Sequence, residues 1–97
     1  MKVLAIERDV AGVNAARFTE GLLREEAQHA WELQQSGVIR ELYFRADEEA
    51  AVLVLECEGV EQAKSILATL PLVRERLIAF EVIPLRAYPG FGRLFGG

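Results

Sequence analysis

The sequence has few of the residues on which metal centres and covalent cross-links are built. It contains one cysteine, Cys57, and one histidine, His29, which excludes a disulfide within the chain and a zinc site of the Cys/His type. Cys57 ends the apolar run "AVLVLEC" with no basic cluster beside it, a pattern typical of a buried apolar group rather than a reactive thiol. A domain of 97 residues without these supports is often stabilised by oligomerisation.

Long runs of one residue type are also missing. The 11 basic and 15 acidic residues give a net charge of −4, and no run of Lys or Arg occurs, so we expect no nucleic-acid partner. No apolar stretch reaches the roughly 18 residues that a membrane span needs. The start, "MKVLAIERDV", has no apolar core of a secretory signal. We therefore expect a cytoplasmic protein that does not bind membranes.

The chain does contain short apolar runs and amphipathic segments. The patterns predict strands at 2–7, 38–45, 51–57 and 77–85 and helices at 18–36 and 60–70. The second helix is expected to end at Pro71, and the polar loop 46–49 indicates an antiparallel hairpin. The order β-α-β-β-α-β predicts a ferredoxin-like α+β fold, in which a four-stranded antiparallel sheet carries two helices on one face.

The strands are apolar on both sides, although two helices cover only one face of such a sheet. In residues 51–57 Leu53 and Leu55 point one way, while Val52 and Val54 point the other way. The second apolar face needs another layer to cover it. We therefore expect a homodimer joined sheet to sheet, a dimeric α/β barrel.

The chain divides into a single domain, 1–87, and a C-terminal tail, 88–97. A frayed end is one interpretation of the tail. Its side chains are too apolar for a typical disordered segment, however, so we expect it to dock on a neighbouring subunit. The residues responsible are Tyr88, Phe91, Leu94 and Phe95.

The first helix holds an acidic residue on its apolar side. At 100° per residue its apolar side chains form one broad arc. Glu26 falls near the centre of this arc, and His29 lies close to its edge. A carboxylate buried without a partner is costly, and its pKa rises in response. Glu26 is therefore the main candidate for acid–base chemistry.

Arg40 lies inside the apolar run 38–45, and alternation puts it on the face of Leu42 and Phe44. If that face meets the helix, Arg40 can approach Glu26. One interpretation is a buried ion pair without chemistry. The other is a pocket in which Arg40 binds a substrate carboxylate and Glu26 transfers a proton. His29 is then a second acid or base, or only a packing residue.

Two passages of the chain, "LLREEAQHAWELQQSGVIRELYFRA" and "VEQAKSILATLPL", resemble the muconolactone Δ-isomerase family. The similarity covers about residues 22–73 and resumes weakly in "EVIPLRAYP". Glu26 and Arg40 match the family pattern, and His29 does not. Where the family carries a histidine and tryptophans, this chain has Ile39, Glu41 and Tyr43, which leaves the substrate open. The most specific shared features are Leu33, Gln34, Gly37, Arg40 and Leu42, followed by Leu70, Pro71 and Leu72.

The resemblance implies a dimeric α/β barrel, often assembled into larger rings, and an isomerase of bacterial catechol degradation. Such an enzyme moves a double bond in a small unsaturated lactone acid without metal or organic cofactor. Glu26, with His29, would then carry the catalysis, and Arg40 would bind the substrate carboxylate. The same architecture hosts other activities. A non-catalytic small-molecule-binding protein, a structural oligomer and a cofactor-free monooxygenase therefore remain alternatives.

Overall fold

A computed structural model describes residues 1–96 and has the predicted order of elements. Four antiparallel strands form one sheet with the order β2-β3-β1-β4, which confirms the ferredoxin-like α+β fold. The strands are β1 (Lys2–Asp9), β2 (Ile39–Phe44), β3 (Ala51–Glu56) and β4 (Ile78–Pro84). The helices are α1 (Glu20–Gln35), α2 (Val60–Leu67) and the single turn α3 (Pro71–Arg74), with 3-10 helices at Ala15–Arg17 and Pro89–Phe95.

The end of α2 differs from the prediction. This helix stops at Leu67 rather than at residue 70, and the chain turns before Pro71. Pro71 occupies the first turn of α3, where its missing N–H removes no helical hydrogen bond. Proline therefore starts a helical turn here instead of ending the preceding helix. Leu70, beyond the end of α2, is buried.

Both ends of α1 are fixed by local hydrogen bonds. The Thr19 hydroxyl oxygen accepts a hydrogen bond from the Leu22 amide at 3.2 Å, as expected of an N-cap. At the other end, Val38 N–H donates to the Leu33 carbonyl and Gly37 N–H donates to the Gln34 carbonyl. These two bonds form a Schellman motif, which needs a left-handed residue. Gly37 supplies it with φ of 85°.

The main core lies between the sheet and the helices, and α1 contributes little to it. No residue of α1 is fully buried, and Ala30 and Leu33 only border the core. The helix therefore stands away from part of the sheet and leaves space beneath it. The buried side chains of this core are Val3, Ala5, Ile39, Leu53, Leu55, Ala63, Leu67 and Leu70.

The other face of the sheet is apolar at its centre, and no helix of residues 1–96 lies on it. Its central side chains are partly exposed in the single chain, and the cross-strand pairs Leu4–Val54 and Ile6–Val52 lie side by side on it. Ile83, paired with Leu4, extends the patch into β4. None of the helices in residues 1–96 combines the length and apolarity needed to cross a bilayer.

Gly37 and Gly21 provide a matched test of this account of α1. We expect Gly37→Ala to lower the free energy of unfolding by about 1 kcal/mol because an L side chain is strained in the left-handed region. Its added Cβ would meet no atom closer than 4.0 Å, at the Arg40 guanidinium, so crowding does not contribute. Gly21→Ala, in helical backbone with open space, should instead raise stability by about 0.5 kcal/mol. Urea denaturation of both variants measures the two shifts, and equal shifts would contradict the backbone explanation.

Candidate acid–base site

A cavity of about 700 Å³ lies between α1 and the helix-facing side of the sheet. It is bounded by the first 3-10 helix and by the β2–β3 hairpin. Most of its wall is apolar, with Phe18, Leu23, Leu42, Phe44, Leu72 and Phe80 among the lining residues. The charged side chains among the lining residues are all acidic, namely Glu7, Asp9, Glu26 and Glu49. Within residues 1–96, no Lys or Arg lines this cavity.

Glu26 projects from α1 into the cavity, as the helical periodicity predicted. Its Oε1 accepts a hydrogen bond from the Leu72 amide at 2.9 Å. This amide has no partner inside α3 because it lies in the first turn of that helix. Burial raises the pKa of Glu26, and the negative charge of Glu7 raises it further. The Leu72 hydrogen bond and the charges of His29 and Arg74 oppose this effect without cancelling it.

Glu7 is a second cavity carboxylate, and it is not among the site residues predicted from the sequence. It lies on β1 and follows Val3 and Ala5 on the helix-facing side, and its Oε1 accepts a hydrogen bond from the Ala51 amide at 3.0 Å. Burial raises the pKa of Glu7, and the neighbouring charge of Asp9 raises it further. The period of two that runs through the buried Val3 and Ala5 already points to Glu7 and would have identified it.

Arg40 does not approach Glu26, so the expected pairing of these two residues is wrong. The register passes from Ile39–Leu55 directly to Glu41–Val54, which makes Arg40 the extra residue of a β-bulge. The bulge moves the alternation by one residue and puts Ile39, instead of Arg40, in the core. The Arg40 side chain is exposed, and its Nε donates to the Gly37 carbonyl at 2.6 Å.

Arg40 acts on the charges at the outer side of the sheet. The pKa of Glu56 is lowered mainly by the N-terminal ammonium group, and Arg40 adds a smaller effect of the same sign. Tyr43 pairs with Val52 of β3 and also lines the cavity, and its hydroxyl donates to Glu41 Oε1 at 2.9 Å. The bulge therefore turns Arg40 away from the cavity.

His29 also lies outside the cavity. Its Nε2 is 2.7 Å from the Thr69 hydroxyl, and its Nδ1 is 3.2 Å from Glu32 Oε1. These contacts hold the imidazole in a shallow surface groove between α1 and the turn that follows α2. The charge of His29 contributes to the pKa of Glu26, but the ring does not line the space into which Glu26 points.

The arrangement of the cavity is suited to proton transfer rather than to metal binding. Across residues 1–96, no group of three or more His, Cys, Asp or Glu side chains is placed to hold a metal ion. What the cavity offers is two partly buried carboxylates with raised pKa values within an apolar wall. Such groups gain and lose a proton closer to neutral pH than ordinary carboxylates do.

The sheet order, the helices on one face and the cavity between the layers define a ferredoxin-like protomer of the dimeric α/β-barrel class. Comparison with protein families identifies the group more closely. The muconolactone delta-isomerase family model matches residues 6–90, and the chain belongs to that family. This finding confirms the resemblance seen in the sequence.

Solved structures agree with the assignment. A crystal structure of muconolactone isomerase is 26% identical, with a TM-score of 0.71 and a match covering 92% of each chain. The second is 5-chloro-2-hydroxyhydroquinone dehydrochlorinase from Burkholderia phenoliruptrix AC1100, in complex with 2,5-dihydroxybenzoquinone. It is 17% identical with a TM-score of 0.59, covers 93% of this chain and 98% of its own, and supports the fold alone. No curated protein sequence gives a significant match.

The raised pKa of Glu26 predicts how stability depends on pH. The folded state favours the protonated form, so this group's contribution is complete below the ordinary pKa of 4.5. It is then lost as pH rises through the folded-state pKa. Glu26→Gln removes the titration and keeps an oxygen that accepts from the Leu72 amide. Relative to wild type, the variant should therefore gain stability between pH 4 and neutrality.

Chemical denaturation at a series of pH values, at one protein concentration, measures this difference. Glu25→Gln is the matched control because Glu25 is the preceding residue on α1 and is exposed to solvent. Its difference from wild type should stay nearly constant over the same range. A constant difference for Glu26→Gln as well would mean that burial of the Glu26 carboxylate has no influence on its ionisation.

Proposed function

We propose that this protein is a cofactor-independent isomerase that moves a proton within a small unsaturated lactone or carboxylic acid. The observation that carries the proposal is the half-buried carboxylate of Glu26, with its raised pKa, at the wall of an apolar cavity. Membership of the muconolactone delta-isomerase family supports the reaction class. The cavity volume of about 700 Å³ is ample for one small ring.

The proposed reaction needs a base that removes a proton and a source from which a proton returns to another carbon. The ionised Glu26 removes a proton from a carbon next to the unsaturated system, and the electrons of that C–H bond enter the conjugated system as a dienolate. A proton then returns to another carbon, so that the double bond moves and no atom is gained or lost. A carboxylate with a raised pKa suits the first step because it is a stronger base than an ordinary one.

The charges of the cavity affect the orientation in which a substrate would bind. Because its ionisable lining residues include four acids and, within residues 1–96, no Lys or Arg, a substrate carboxylate would be repelled from the interior. We therefore propose that the uncharged lactone ring enters first and that the carboxylate remains at the open mouth. Arg40 and His29 lie outside the cavity, so their positions do not support the roles predicted for them.

Muconolactone is the substrate with which the proposal is tested. We expect wild-type protein to convert it and Glu26→Gln to lower kcat by about 10²- to 10⁴-fold, the usual contribution of a general acid or base. Loss of absorbance or a proton NMR time course follows the reaction. Glu25→Gln is again the control and should keep wild-type activity because its side chain is exposed.

The possible outcomes separate the candidate functions. Wild-type activity that survives in Glu26→Gln would remove Glu26 from the mechanism. Saturable binding of muconolactone without turnover by the wild type would instead favour the non-catalytic binding protein. A ligand that binds the folded state raises the melting temperature, so a thermal shift experiment measures that binding.

We also propose that two copies of the chain associate through the outer face of the sheet. Apolar side chains from β1, β3 and β4 form a patch there, built around Leu4, Ile6 and Val54. A sheet with one covered face ordinarily buries its second apolar face against another layer. The tail remains a separate prediction. Tyr88 and Phe95 are 67% and 83% exposed, which fits docking on a neighbouring subunit.

A charge placed in the middle of this face tests the association. Leu4 lies on a central strand between Val54 of β3 and Ile83 of β4. We expect the wild type to be a dimer or a larger assembly by light scattering, and Leu4→Lys to be a folded monomer because a buried unpaired ammonium is costly. Gln28→Lys, which adds the same charge at an exposed position of α1, should keep the wild-type mass. A monomeric wild type would refute the proposed interface.

A further inference from the structure

The two partly buried carboxylates of the cavity come from opposite layers of the fold. Glu7 lies on β1 in the sheet, and Glu26 lies on α1 above the sheet, and both line the same cavity. A small molecule in that space therefore lies between a carboxylate of the sheet and a carboxylate of the helix. One carboxylate on each side is an arrangement in which one group can remove a proton at one atom while the other delivers a proton at another.

Each carboxylate is held in the same way. One oxygen is fixed by a backbone amide from a different element, Ala51 of β3 for Glu7 at 3.0 Å and Leu72 of α3 for Glu26 at 2.9 Å. The hydrogen bonds that residues 1–96 donate to these two groups end on Oε1. Oε2 of each group is therefore available to a bound molecule. Fixing one oxygen to the backbone orients the other without the loss of freedom that a mobile side chain would suffer.

The charges that surround the two groups differ. Glu7 is followed on the same side of β1 by Asp9, whose negative charge favours the protonated form of Glu7. The negative charge of Glu7 favours the protonated form of Glu26, and the charges of His29 on α1 and Arg74 on α3 favour its ionised form. Repulsion between two neighbouring carboxylates also disfavours ionisation of both at once. Glu49 of the hairpin adds a further negative charge to the cavity wall.

Resting on the function proposed above, we infer that Glu7 is a second acid–base residue, which returns the proton that completes the isomerisation. Glu26 takes a proton from one carbon and becomes a carboxylic acid, and the C–H electrons pass into the conjugated system. The carboxylic acid of Glu7 gives its proton to the distal carbon and becomes a carboxylate. One proton then passes from Glu26 to Glu7, directly or through water at the open mouth, and restores the starting state.

The separate roles of Glu26 and Glu7 are tested by following muconolactone in D₂O by NMR. Proton abstraction alone exchanges the substrate's C–H for deuterium. Wild type should catalyse both exchange and isomerisation. Glu7→Gln keeps an oxygen for the Ala51 amide and the base Glu26. It should therefore retain exchange, whereas isomerisation falls by about 10²-fold, at the lower end of general acid catalysis. Glu26→Gln should lose both reactions.

Two further variants distinguish the loss of the Glu7 carboxylic acid from a loss of folded structure. Glu7→Asp, which keeps the carboxylic acid on a shorter side chain, should recover part of the isomerisation, and Glu25→Gln should behave as wild type. The inference is overturned if Glu7→Gln isomerises at the wild-type rate, or if its exchange and isomerisation fall in the same proportion. A wild type that does neither reaction refutes the proposed function itself and the inference with it.

Discussion

The hydrogen bond between the Leu72 amide and the Glu26 carboxylate is the interaction on which the cavity depends. It joins α1 to α3 at a point where α1 has no fully buried side chain to fix its position against the sheet. A hydrogen bond to a charged group contributes about 1.5–3 kcal/mol, which offsets part of the cost of removing the carboxylate from water. Pro71 makes the bond available because it begins a helical turn whose next amide needs an acceptor.

Most of the fold follows from short-range patterns that are visible in the sequence. The alternation in 51–57 and the helical arc around Glu26 predicted which side chains face the core, because each pattern depends only on local geometry. Glu7 was equally accessible to this reasoning, since Val3 and Ala5 precede it with the same period. The carboxylate on the sheet side of the cavity was therefore predictable, even though it was not predicted.

The position of Arg40 could not be derived in the same way. A β-bulge inserts one residue into one strand, and the sequence carries no residue type that requires it at this point. The period of two fails between Ile39 and Glu41, so an alternation counted back from Leu42 and Phe44 assigns Arg40 to the wrong face. Leu42 and Phe44 still line the cavity because their pairing with Leu53 and Ala51 restores the register beyond the extra residue. Only the residues at the bulge itself are misassigned.

The bulge also keeps the guanidinium of Arg40 away from the carboxylates of the cavity. By moving Arg40 to the outer side, it leaves the cavity acidic and largely apolar, so that carboxylates such as Glu7 and Glu26 have no basic lining residue within 1–96 to keep them ionised. A guanidinium beside Glu26 would lower the pKa of Glu26 and weaken it as a base. The separation of Arg40 from Glu26 therefore favours proton transfer more than the predicted ion pair would have done.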